Sequence, residues 1–127
     1  MIVRSLGEIK GTDFHVITEN WSSTRLIVQE DNVGYSVHHT VIPQGHQVHC
    51  HYEHHFETNY CIAGEGKVEN LETGEISLLK PGTVYTLDKH DEHIVSATTS
   101  DLHLVCVFSP ALAGRERHND THGYDLL

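Results

Sequence analysis

Basic residues are scarce: eight lysines and arginines stand against 18 aspartates and glutamates in 127 residues, a formal net charge of −10. A surface of that sign repels phosphate backbones and anionic bilayers, which argues against nucleic acid or a membrane as partner. Long apolar runs are missing too. No stretch approaches the ~20 apolar residues that a helical membrane span needs, and the opening Met1-Ile-Val-Arg-Ser-Leu-Gly has no extended apolar region, so a cytoplasmic, unexported chain is expected. Cysteine is confined to Cys50, Cys61 and Cys106, an odd count without paired spacing that reads as free thiols. With no sustained helical period, heptad, repeat, linker or low-complexity block, residues 1–127 read as a single domain.

What is present is a series of short alternating or apolar runs: Arg25-Leu-Ile-Val, Val33-Gly-Tyr-Ser-Val, Phe56-Glu-Thr-Asn-Tyr-Cys-Ile, Ile76-Ser-Leu-Leu, Thr83-Val-Tyr-Thr-Leu, His93-Ile-Val-Ser-Ala and Leu102-His-Leu-Val-Cys-Val-Phe. Their length and β-branched content favour strands. Turn signals punctuate them at Glu30-Asp-Asn, Pro43-Gln-Gly45, Gly64-Glu-Gly66, Glu72-Thr-Gly74, Lys80-Pro-Gly82 and His90-Asp-Glu92. The expectation is an all-β domain, a sandwich or barrel. Residues from Ala113 onward are polar and patternless, forming either a frayed tail or a lid.

Histidine is abundant, 13 in all, and crowded between Pro43 and His55. Glu57 precedes an alternating segment that ends in Gly64-Glu-Gly66, which is similar to the second half of the cupin metal motif: a strand presents an acid inward and then turns sharply. The upstream His49-Cys-His51 and His54-His55 do not stand at the usual spacing. In Pro81-Gly82-Thr83-Val84-Tyr85, tyrosine occupies the place where that motif carries histidine, and His93 begins the next strand. Glu57, Tyr85 and His93 would converge from inward positions on separate strands. Two anionic oxygens and an imidazole suit iron(II), manganese or zinc, and three ligands leave room for a substrate. The crowded histidines also read as solvent-facing or loop-bonded groups, with His51 and His55 the better pocket candidates because a regular strand puts them on the face of Glu57.

Longer stretches carry a closer resemblance. His38-x-Thr40, His51-Tyr52-x-x-His55-x-Glu57-x-x-Tyr60-Cys61-Ile62-x-Gly64-Glu65-Gly66, Tyr85-x-Leu87-Asp88-Lys89-His90-Asp91-x-His93 and Gly114-Arg115-Glu116-x-His118 resemble the ectoine synthase family over nearly the whole chain. The resemblance implies a homodimeric cupin barrel (a double-stranded β-helix) whose Glu57, Tyr85 and His93 hold iron(II). Trp21, Arg25, Thr40, Tyr52, His55, Asp91, Phe108, Glu116 and His118 would surround the substrate, N-γ-acetyl-L-2,4-diaminobutyrate, and residues 113–127 would form a lid. The implied reaction is a hydro-lyase ring closure that yields the compatible solute ectoine. The chain departs from the family's usual Asn-Pro-Pro at Ser109-Pro110-Ala111 and from its acidic ending at Arg117-His118-Asn-Asp-Thr-His-Gly123, changes that touch the lid more than the metal.

Such a reaction needs a base for the amine and an acid for the departing oxygen, and His55, Glu116 and His118 are the candidates. Arg25 is a candidate fork for the substrate carboxylate. Trp21 and Phe108 are candidate walls against water. Two other readings fit a cupin of this kind: an iron-dependent dioxygenase, and a binding protein for a small zwitterion.

Overall fold

The computed structural model describes residues 1–116. After a single helical turn, α1 (Leu6–Ile9), the chain forms β1 (His15–Ile17), β2 (Ser22–Ile27), a 3-10 turn (Gln29–Asp31), β3 (Ser36–Ile42), β4 (Gln47–Cys50), β5 (Phe56–Ala63), β6 (Gly66–Asn70), β7 (Ile76–Leu79), β8 (Val84–Thr86), β9 (His93–Ala97) and β10 (Leu102–Ser109). Two antiparallel sheets result, ordered β1-β2-β3-β10-β5-β8 and β4-β9-β6-β7. The all-β expectation holds.

Period-2 alternation builds the core. On β10, Leu102, Leu104, Cys106 and Phe108 are buried; on β5, Glu57, Asn59 and Cys61 point the same way. Ile42 of β3 and Leu79 and Val95 of the smaller sheet join them in one apolar cluster. Three free cysteines, all buried, behave there as small apolar residues.

β1, β4 and β6 were not among the runs read as strands, and β3 begins at Ser36 and continues past Val37 to Ile42. The reason is compositional. In Gln47–Cys50 only alternate positions face inward, and β6 buries Gly66 and Val68 between Lys67 and half-buried polar residues, so neither segment carries a sustained apolar signal.

Register positions the site. Glu57 lies opposite Phe108 and Asn59 opposite Cys106 across β5 and β10. On the other edge of β5, Asn59 faces Tyr85 of β8. His93 opens β9 between Cys50 of β4 and Asn70 of β6.

Candidate active site

Glu57, Tyr85 and His93 come from β5, β8 and β9, and all three line one cavity. Trp21, Thr40, Tyr52 and Phe108 line it as well. Tyr52 packs edge-on to Phe108 with ring centroids 5.2 Å apart, and lies 6.0 Å from the His93 ring. The result is a chamber walled mainly by aromatic and apolar side chains, with Glu57, Tyr85 and His93 meeting in its lining.

His93 is oriented through one ring nitrogen. Its Nδ1 donates to the Asp91 carbonyl at 2.8 Å, which puts the lone pair on Nε2. That Nε2 is buried and has no hydrogen-bond partner among the described residues. An imidazole oriented through Nδ1 and bare at Nε2 is the form that ligates metal.

Glu57 and Tyr85 share that environment. Burial pushes the Glu57 carboxyl up to about 7, with Asn59 acting in the opposite direction. Burial, and then the charge of Glu57, hold the Tyr85 phenol well above its usual range. A divalent cation reverses both preferences, because it is then the largest local charge. Among the described residues no three of His, Cys, Asp and Glu gather as a metal-binding group; a three-ligand set here needs the phenolate of Tyr85.

The other sequence candidates separate by position. Asp91 lines a neighbouring cavity that also touches Tyr85 and His93. Arg25, 1 % exposed, donates from Nε to Ser23 Oγ at 2.9 Å and from Nη1 to the carbonyls of Gly114 and Glu116 at 3.1 and 3.0 Å. These bonds tie it to the C-terminal segment, and its guanidinium also sits 5.9 Å over Trp21. Glu116 accepts from the Ala113 and Gly114 amides, one on each oxygen, at 2.7 Å. Residues 112–116 are therefore packed against the barrel. His118 lies outside the described residues, as does the rest of the expected lid.

His55 is buried and edge-on to Phe108 at 6.2 Å, and burial lowers its pKa while Glu116 opposes that shift. The expectation that His51 and His55 share a regular strand with Glu57 is corrected: β4 ends at Cys50, β5 begins at Phe56, and the chain bends at Glu53-His54 between them. His51 instead lies 3.7 Å from Glu53 with its ring a quarter exposed.

Asn59 and His38 line the cavity without having been assigned a role from sequence. The available signal was the count of two from Glu57 along β5, which turns Asn59 inward. A carboxamide at an inward position looks like a break in the pattern rather than a member of it.

Comparison with known proteins places these features in a family. The family model described as ectoine synthase matches residues 1–127. The L-ectoine synthase of Halomonas elongata is 50 % identical over 126 residues, covering 98 % of this chain and 91 % of that one. The crystal structure of ectoine synthase from P. lautus superimposes with a TM-score of 0.89 at 40 % identity, covering 100 % of this chain and 91 % of that one. A cupin 2 conserved barrel domain protein from Salinispora arenicola, 19 % identical, aligns over 86 % of this chain and 88 % of its own with a TM-score of 0.70, and shares the fold.

Proposed function

The chain belongs to the ectoine synthase family, and on that premise we propose that it closes N-γ-acetyl-L-2,4-diaminobutyrate into ectoine with loss of water. The observation that carries this reading is the meeting of Glu57, Tyr85 and His93 at one aromatic-walled cavity, with His93 Nε2 presented bare. In the reaction the α-nitrogen bonds to the acetyl carbon, the carbonyl C–O bond breaks, and two protons of the α-ammonium leave with the oxygen as water. The charge stays on the amidinium.

An amide carbon is a poor electrophile, so the reaction needs polarisation and a folded substrate. Glu57, Tyr85 and His93 would hold an iron(II), with zinc or manganese admissible on ligand type, and the ion supplies Lewis-acid polarisation when bound. The protein supplies the conformation: well-oriented intramolecular reactions gain roughly 7–11 kcal/mol from positioning. Trp21, Tyr52 and Phe108 form the wall that keeps bulk water from the amidine. His55, which packs against Phe108 and feels the charge of Glu116, would exchange protons with the substrate.

Incubating iron-loaded protein with the acetylated diamine and following product by chromatography tests this directly. Ectoine formation without oxygen consumption is the expected outcome. Oxygen uptake with thiol or diketone substrates supports a dioxygenase instead, and saturable ectoine binding without conversion supports a binding protein.

Metal uptake should depend steeply on pH. Below about 7 both Glu57 and Tyr85 carry protons that a cation must displace, and above it only Tyr85 does. Affinity is then expected to rise with pH, by about 100-fold per pH unit below 7 and about tenfold per unit above. Chelator competition between pH 6 and 8 measures it; a flat profile argues against this ligand set.

The same reading includes a homodimer acting in the cytoplasm. Phe56, Tyr60 and Ile62 on the outer face of β5, with Val84 paired beside Tyr60, leave a half-exposed apolar strip that a second copy would cover.

A further inference from the structure

Asn59 is 1 % exposed, yet neither its Oδ1 nor its Nδ2 has a hydrogen-bond partner among the described residues. A carboxamide brings two N–H donors and an acceptor oxygen, and burying them bare is costly unless something bonds them. Its strand neighbours do not. Cys106 lies opposite it on β10, but the Cys106 thiol is directed to Thr40 Oγ1 at 3.4 Å. Tyr85 lies opposite on β8. Glu57, one inward step back along β5, feels the amide without forming an aligned bond to it.

Asn59 therefore sits in the cavity wall, flanked by two of the three side chains that gather there. The functional reading puts the substrate's acetyl carbonyl at that cluster. The acetamido nitrogen is one bond from the carbonyl carbon, so on that reading its N–H comes within reach of Asn59.

Resting on that reading, we propose that Asn59 is a substrate-binding residue whose Oδ1 accepts the hydrogen bond of the acetamido N–H. The contact selects an amide over an ester. It also strengthens during the reaction, because the same N–H becomes part of a cationic amidinium, and hydrogen bonds to charged donors are stronger than neutral ones.

The test is a chemical double cycle with Asn59→Leu, close in shape and apolar, and with the ester analogue in which oxygen replaces the acetamido N–H, used as a competitive ligand. Asn59→Leu is expected to raise KM for the amide about tenfold and lower kcat, at unchanged iron content, while its affinity for the ester stays within about twofold of the wild type. Asn59→Asp, which keeps an acceptor oxygen, is expected to retain the preference for the amide. Thermal stability of the metal-free Asn59→Leu protein should rise, since a bare buried amide is gone. If the leucine variant does not fold, Asn59→Val takes its place in the cycle. Retained amide preference in the apolar variant, or loss of iron from it, overturns the proposal and leaves the cyclisation reading standing. A wild-type protein that does not cyclise the diamine overturns both.

Discussion

Glu57→Gln is expected to abolish metal binding and ring closure while making the metal-free protein more stable at pH 8. The two effects have one cause. Burial holds the Glu57 carboxyl at about 7, above its ordinary value of 4.5. A carboxyl whose folded-state value is raised leaves the fold less stable as pH climbs from 4.5 through 7, because the unfolded chain ionises first. Above that window the ionised side chain costs the metal-free fold about 3 kcal/mol, an order-of-magnitude figure that glutamine avoids. Activity moves the other way. Loss of a metal's outer-shell partner already costs roughly 10–100-fold, and loss of a direct ligand is expected to exceed that, lowering kcat/KM by more than about 1,000-fold. Tyr85→Phe and His93→Ala should lose iron and turnover alongside it. Iron content, kcat/KM and thermal melts with and without metal are the measurements. A Glu57→Gln protein that keeps iron and full turnover removes Glu57 from the ligand set, and one destabilised without metal shows that the carboxyl has a structural partner instead.

Period-2 alternation is read most easily where strands are apolar, and β9 and β10 coincide with such runs: His93–Ala97 was read to the residue, and Leu102–Phe108 to within one. Glu57 was legible for another reason, its fixed distance to the turn at Gly64. β4 and β6 were not, because one face of each meets water and their inward positions carry only Val48, Cys50, Gly66 and Val68. The bend at Glu53-His54 broke a regular count that would have set His55 beside Glu57. Arg25 was expected to be a fork for a substrate carboxylate, but its burial and its partners were not legible: Nη1 donates to carbonyls 89 and 91 residues away, and no local pattern encodes them. Asn59 shows the same limit from the other side, since a polar residue turned inward is visible only once its strand's neighbours are known.

Gly64→Ala is expected to have the largest effect on stability, and through it on the site. Gly64 has φ +84, which any L side chain adopts at a cost. An added Cβ would sit 1.9 Å from the Asp101 carbonyl oxygen and 2.8 Å from its carbon. Both are backbone atoms, so no side-chain rotation relieves the overlap; either the β5–β6 turn or the start of β10 must move. Those segments lie where β5 and β10 begin their pairing, with His103 opposite Ala63, and the same ladder sets Asn59 against Cys106 and Glu57 against Phe108. Gly74 is the control. Its φ of +79 is equally unfavourable, but an added Cβ there meets nothing within 4 Å. Gly74→Ala should therefore cost only the conformational part, about 1 kcal/mol, whereas Gly64→Ala should cost more than about 3 kcal/mol and lower Tm by about 10 °C or more. Iron affinity should fall only in the Gly64 variant, because only there is the strand that carries Glu57 displaced. Equal melting temperatures for the two variants would show that the turn yields without moving β5 or β10, and the geometry of the site would then be independent of the glycine that follows it.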